Sequence, residues 1–287
     1  MLIVAWALLQ AQTVPPPQQT PPPPPPPPMH GGMVPMTCPI GGERFSGWQA
    51  GSYSTYGERP DGRPYSYLHF PFPVPECPGN HLVVFDNFPD ADKAALAMLI
   101  ATPAYARLVA EGDTPYYRAS WLSARLSRPE PVSLGWLQAA LWADTPGFID
   151  PLDSTEAGKR RARYASEFVD RVRRLPSDTS MKDRLWLTAR AANQLRQMGD
   201  FAAAETMRHD AMAMLGQPGV GDGWDDYLAK LGPVIARRDA SVEPLDMIPV
   251  REAAYRCAKP GKTPLSAMET RLCAKPTIAA EAAKVAK

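Results

Sequence analysis

The tightest constraint on this chain is a run of eight consecutive prolines, Pro21–Pro28. Such a run has no backbone N–H and its φ is held near about −65°, so it enters neither a helix interior nor a central strand. It adopts polyproline II. At ~3.1 Å per residue, Pro15–Pro28 would span roughly 40 Å. Twelve of the 34 prolines lie between Val14 and Met36. Residues 14–36 are therefore expected to be a Pro-rich disordered linker, a stiff spacer between two parts of the protein. The competing reading is a ligand for an aromatic-lined groove, because preformed polyproline II loses little entropy on docking.

Residues 1–42 contain no Lys, Arg, Asp or Glu. Within them Leu2–Leu9 is continuously apolar, as in the hydrophobic stretch of a secretory signal. Residues 1–13 are expected to be a signal peptide or an apolar N-terminal segment. The chain is then exported, to the periplasm, with the spacer holding a folded body off a membrane as a proximal tether. No Cys follows the apolar run, which argues against a lipid anchor. The whole chain has 287 residues, 31 Lys+Arg and 30 Asp+Glu, a net charge of +1. That balance excludes a protein that binds nucleic acid through many phosphate contacts.

Residues 37–88 change character. They are rich in Gly, Pro, Tyr and Ser, with short apolar runs. Tyr65–Val74 and His81–Phe85 are expected to be strands, and Arg44–Tyr56 a hairpin or loop. The prolines at 71, 73 and 75 demote the first run to an edge or extended segment. Trp48, Tyr53, Tyr56, Tyr65 and Tyr67 form a possible binding surface, or the packing of a small module poor in aliphatics.

Two strings in this segment have an outline of their own. Cys38-Pro39-Ile40-Gly41-Gly42-Glu43-Arg44-Phe45 resembles the CPxCGxxF knuckle of a zinc ribbon, and Cys77-Pro78-Gly79-Asn80 the start of a second. With the helices that follow, the chain resembles a degenerate member of a bacterial family of unknown function. That family pairs an N-terminal CPxCG segment with TPR-like helices. Gly41 and Asn80 stand where each knuckle needs its second Cys. A structural zinc takes about four N/S ligands, and only Cys38, Cys77 and His81 are in place. The expected metal content is therefore none. The resemblance brings the knuckles together, which implies a Cys38–Cys77 disulfide in an oxidising compartment. A loop of about 40 residues closed in this way gains roughly 4 kcal/mol.

From residue 89 helix signals dominate. Thr102-Pro103, Thr114-Pro115 and Thr263-Pro264 place a capping hydroxyl before a first-turn Pro. Helices are expected over 90–101, 103–111, 115–126, 133–143, 154–175, 180–198, 201–215, 222–238, 250–258 and 264–274. The 154–175 helix carries an apolar stripe of Tyr164, Phe168, Val172 and Leu175, with Arg and Lys on its other sides. Those charges read as a solvated face or as a surface for an acidic partner or lipid. Residues 181–215 resemble one TPR helix–turn–helix unit, with Gly199 and Asp200 at the turn and Ala192, Leu195, Ala204 and Ala211 on the facing sides. No second unit of equal quality follows, so this one caps a bundle. The Gly-rich stretch 216–223 follows a helix rather than a strand, so it is a connector.

Cys257-Ala258-Lys259-Pro260 and Cys273-Ala274-Lys275-Pro276 repeat one pattern. Four Cys allow three pairings. Locality favours Cys257–Cys273, which closes a loop of about 17 residues and gains roughly 3 kcal/mol. Residues 276–287 are expected to be a flexible tail.

The fold expected is α+β, mainly α: a small Cys-stapled β/loop module at 37–88, then a helical, TPR-like bundle at 89–275. No nucleophile elbow, zinc-protease helix, Walker loop or calcium loop occurs. His30, His69, His81 and His209 form no readable triad, and no catalytic residue or cofactor is assigned. The function expected is an exported, non-enzymatic interaction or scaffold protein of the bacterial envelope with a protein partner. The alternative is an envelope hydrolase or small-ligand-binding protein whose site lies between the Tyr-rich module and the helices.

Overall fold

A computed structural model describes residues 30–147, 155–261 and 264–285. The proposed signal segment, most of the Pro-rich spacer, and the caps Ser154 and Thr263 lie outside these residues. The chain is mainly helical, with one two-stranded sheet among the described residues. Strands β1 (Gly31–Thr37) and β2 (Arg44–Ala50) pair antiparallel, Gly31 opposite Ala50 and Thr37 opposite Arg44. The spacer thus ends earlier than expected: Gly31–Met36 are strand. Pro35 is tolerated there because β1 has a partner on one side only.

The strands expected at Tyr65–Val74 and His81–Phe85 do not form. Only the isolated bridges Glu58–Pro64 and Glu76–Val83 occur among the described residues. Prolines at 64, 71, 73 and 75 remove the donors a ladder needs. The backbone finds local turns instead, such as Cys77 N to Leu82 O at 2.9 Å and Val84 N to Pro75 O at 2.7 Å.

The helices run α1 (Asp90–Ile100), α2 (Pro103–Ala110), α3 (Pro115–Arg125), α4 (Glu130–Asp144), α5 (Thr155–Arg173), α6 (Met181–Gln197), α7 (Phe201–Met212), α8 (Trp224–Ala236), α9 (Val250–Ala258), α10 (Ala267–Cys273) and α11 (Pro276–Val285). Thr102 and Thr114 cap α2 and α3 by accepting from Tyr105 N and Tyr117 N, both 3.2 Å, with Pro in the first turn. Pro264 does not begin α10. Ser266 does, in a capping box with Glu269. The flexible tail expected at 276–287 is largely helix α11, because Ile278 is buried against the α9 region.

Helices α3 to α8 form the body. Tyr164, Phe168, Val169 and Val172 of α5 are all buried in the main core, as the spacing of the stripe requires. The opposite side of α5 is not simply solvated. Arg160 pairs with Asp144 at 2.7 Å, Arg171 with Glu130 at 2.8 Å, and Arg163 with buried Asp113. These guanidinium groups tie α5 to α4 and to the α2–α3 loop. Helices α6 and α7 form a tight hairpin. Gly199 turns it at φ +84°, and Ala192, Ala204 and Ala211 are fully buried, so the backbones approach closely. Pro233 sits inside α8 without splitting it.

The 37–88 module packs into the helical body. Cys38, Cys77, Leu82, Val83 and Phe88 belong to the same buried cluster as Leu122, Leu137 and Phe168. Its deepest insertion is the turn Glu58-Arg59-Pro60-Asp61-Gly62. Arg59 and Asp61 pair with each other at 2% and 1% exposure. Asp61 O accepts from Gln138 Nε2 at 2.7 Å and Trp142 Nε1 at 3.0 Å, both on α4. Pro60 O accepts from Arg190 Nη1 of α6 and the Tyr227 hydroxyl of α8, each at 2.7 Å. A Cβ at Gly62 would meet the Arg190 guanidinium at 2.9–3.0 Å, and φ there is +84°. Only Gly fits both the backbone and the space. Polar groups buried this deeply are tolerated because they are paired.

Candidate functional site

The two knuckle-like strings form facing turns. Cys38 N donates to Glu43 O at 2.8 Å and His81 N to Cys77 O at 3.0 Å, so each turn closes on its own backbone. Cys38 and Cys77 form a disulfide with Cα atoms 5.7 Å apart. Asn80 Nδ2 donates to Ile40 O at 2.9 Å, and its Oδ1 accepts from Leu82 N at 3.0 Å. A Cβ at Gly41 would lie 3.9 Å from Asn80 Nδ2. Positions 38, 41, 77 and 80 therefore converge, but a disulfide and an amide hold them. His81 points elsewhere, to Glu76 at 2.7 Å. Among the described residues no group of three or more His, Cys, Asp or Glu is arranged to hold a metal.

The second turn is anchored on α2 and α3. The Tyr105 hydroxyl donates to His81 O at 2.7 Å, and Arg118 reaches His81 O at 3.1 Å and Glu76 at 2.6 Å. Burial pushes the Glu76 carboxyl up, but the hydrogen bonds from Arg118 and His81 outweigh it, and the carboxyl sits below its ordinary range.

Between β1–β2 and α4 lies an apolar groove of about 670 Å³. Trp48, Phe70, Phe72, Tyr116, Trp136 and Trp142 line it, with Pro71, Pro73 and Pro75 along one bank. Trp48 leans on Phe72 with ring centroids 4.9 Å apart, and Phe70 on Phe72 at 4.3 Å. The Tyr116 hydroxyl, a single donor, is shared between Pro71 O at 3.1 Å and Phe72 O at 2.9 Å. Burial pushes the Tyr116 phenol up to about 12, so it stays a donor at any ordinary pH. Trp142 spends its indole N–H on Asp61 O. The indole N–H groups of Trp48 and Trp136 have no acceptor among the described residues.

A second, smaller cavity of about 210 Å³ lies where the Tyr-rich loop meets the C-terminal helices. It is polar. The Tyr65 hydroxyl donates to Glu243 at 2.7 Å, and the Tyr56 hydroxyl to Glu252 at 3.1 Å. Desolvation first, and then the Glu243 and Glu252 carboxylates, hold the Tyr65 phenol far above its ordinary value. Arg59, Arg63 and His69 complete the wall.

The five aromatics expected to form one surface therefore separate. Trp48 lines the groove, and Tyr53 backs it through Phe70 and Phe72, centroids 5.5 and 4.8 Å away. Tyr56 and Tyr65 stack in the polar cavity. Tyr67 is exposed and meets the His30 ring at 3.0 Å. Glu243, Glu252, Tyr116, Trp136 and Trp142 carry no local signal in the sequence. Long-range packing alone brings them to these sites.

Cys257 and Cys273 form the second disulfide, joining α9 to α10, also with Cα atoms 5.7 Å apart. Two disulfides and no free Cys are compatible with an oxidising compartment. No family model, curated protein or solved structure matches this chain. Among the described residues no single helix is long and apolar enough to cross a membrane.

Proposed function

We propose that this chain is an exported, non-enzymatic interaction protein of the bacterial cell envelope, and that its aromatic groove holds an extended, proline-rich segment of a protein partner. Three features of the groove carry this reading: aromatic rings line it, the Trp48 and Trp136 indole N–H groups have no acceptor among the described residues, and the Tyr116 hydroxyl is shared between two of its carbonyls. Proline-rich segments bring carbonyls but few N–H groups, so they need donors and flat apolar faces. Export is supported by the apolar Leu2–Leu9, the uncharged first 42 residues and the two disulfides. Helices α3 and α4, which supply Tyr116, Trp136, Ala139 and Trp142, give the groove a rigid helical mount. The polar cavity favours the interaction reading over a hydrolytic one, because the carboxylates that would act there are engaged by phenols.

Titration of the purified chain with a proline-rich decapeptide up to millimolar, followed by tryptophan fluorescence, tests the site. Saturable binding that Trp48→Ala weakens at least tenfold supports it. No saturable binding at millimolar peptide, by the native chain or by one whose Pro21–Pro28 are replaced by Gly-Ser pairs, overturns it. Recovery of the uncleaved chain in the soluble cytosol would overturn the export part.

A further inference from the structure

A proline-rich segment and a groove suited to one occur in the same chain, and they adjoin. We propose that the groove's resident occupant is the chain's own segment Pro15–Pro28, docked in cis as a self-ligand that a partner must displace. This rests on the reading of the groove as a proline-binding surface.

Position carries the argument. Only Met29 separates Pro28 from His30, and β1 begins at Gly31. The same strand supplies Val34–Thr37 to the groove wall. A Cβ at Gly31 would collide with the Trp48 indole, so the chain enters β1 directly under a principal groove ring. On the other side of the entry, Tyr67 meets His30 at 3.0 Å, and three residues further on Phe70 lines the groove. The Pro run is thus delivered to the aromatic rim. Gly31 has φ +131°, a conformation that lets the chain change direction at this point.

Chemistry agrees with position. Pro21–Pro28 offers carbonyls and ring faces and no N–H. The groove is lined by Trp48 and Trp136, whose N–H groups have no acceptor among the described residues, by further ring faces, and by the Pro71 and Phe72 carbonyls that share the Tyr116 hydroxyl. Neither side carries a charge that docking would desolvate. Residues 1–42 have no charged side chain, and among the described residues no Asp, Glu, Lys or Arg lines the groove. A short tether gives an effective concentration on the order of millimolar, which favours the cis segment over a second copy at micromolar protein.

The test uses the full chain and a fluorescently labelled octaproline peptide. In one variant Pro21–Pro28 is replaced by four Gly-Ser pairs, which keeps the length. Removal of the self-ligand should tighten peptide binding about tenfold over the native chain. In that variant Trp136→Phe, which keeps an aromatic ring but loses the indole N–H and part of the ring face, should weaken peptide binding several-fold. Equal affinity of the native and Gly-Ser chains, with both binding, overturns self-occupation and leaves the groove reading standing. No binding by the Gly-Ser chain overturns the groove reading itself. Masking that rises with protein concentration, together with a dimer in sedimentation, overturns docking in cis in favour of a second copy.

Discussion

The two disulfides span the same Cα distance but hold very different neighbourhoods. Cys38–Cys77 is buried, at 2% and 0% exposure, and belongs to the main core that includes α3, α4 and α5. Around it there is almost no regular structure, only two turns, a bridge and a run of prolines. Cys257–Cys273 is partly exposed and sits at the rim of a satellite cluster of Leu245, Ile248, Ala253, Ala254, Leu272 and Ile278. Around it are three helices that close their own hydrogen bonds. The covalent link matters most where the backbone has fewest other reasons to stay in place.

The largest effect should follow from Cys38→Ala/Cys77→Ala. Sequence separation is 39 residues, so loop closure is worth about 4 kcal/mol. In a chain of this size that lowers Tm by roughly 10 °C. Because the pair lies in the main core, protection against hydrogen exchange should fall in α4 and α5 as well as in residues 37–88. Full protection of the helices with a loosened 37–88 segment would restore the separable module expected from sequence. Cys257→Ala/Cys273→Ala opens a shorter loop, with a sequence separation of 16, and should cost about 3 kcal/mol. Its exchange losses should stay within α9 to α11. A matching loss in α4 would break the contrast between the two regions.

Much of this was legible in the chain, for particular reasons. The starts of α2, α3, α6 and α7 follow from side-chain caps that act within a turn, such as Thr114 before Pro115. The spacing of Tyr164, Phe168 and Val172 predicts the buried face of α5. The failures share one cause, which is distance along the chain. Pro60-Asp61-Gly62 has the composition of a surface turn, yet it is a plug, because Gln138, Trp142, Arg190 and Tyr227 wait for its carbonyls from up to 167 residues away. Ala-rich residues 276–285 have the look of a tail, but the single buried Ile278 fixes a helix. The five aromatics were visible; their division between groove and cavity depends on Phe70 and Phe72, Glu243 and Glu252, which no short motif connects.

The next effect is pH-dependent and belongs to the first region alone. Glu76 holds the second turn to Arg118, whose side chain is 6% exposed. Its folded pKa is depressed, so its contribution is present above the ordinary carboxylate pKa and is lost as pH falls through the lower folded value. Native stability should therefore drop on acidification from about pH 5 to about pH 3, and Glu76→Gln should flatten that part of the curve. At neutral pH Glu76→Gln should cost about 1–3 kcal/mol, because it leaves a largely buried guanidinium without its counter-charge. An unchanged acid limb in a chemical-denaturation series would show that Glu76 is not the group that matters.

The smallest effect distinguishes a turn held by its side chain from one held by the disulfide. Asn80 donates to Ile40 O on the first turn and accepts from Leu82 N on its own, at 2.9 and 3.0 Å. Asn80→Ala removes both bonds and should cost about 1 kcal/mol at this part-buried site. Asn80→Asp keeps the acceptor for Leu82 N and replaces the donor to Ile40 O by a carboxylate oxygen. At neutral pH its carboxylate oxygen opposes Ile40 O, a repulsion that offsets the retained Leu82 bond and brings the variant to about the Ala level. It should recover toward wild type near about pH 3, where a protonated carboxyl donates again. Recovery measured against the acid loss of the wild type isolates the Ile40 bond. If Asp and Ala remain equal at both pH values, the Ile40 bond contributes nothing, and the disulfide and the Gly79 N to Glu43 Oε2 bond at 2.9 Å hold the two turns together.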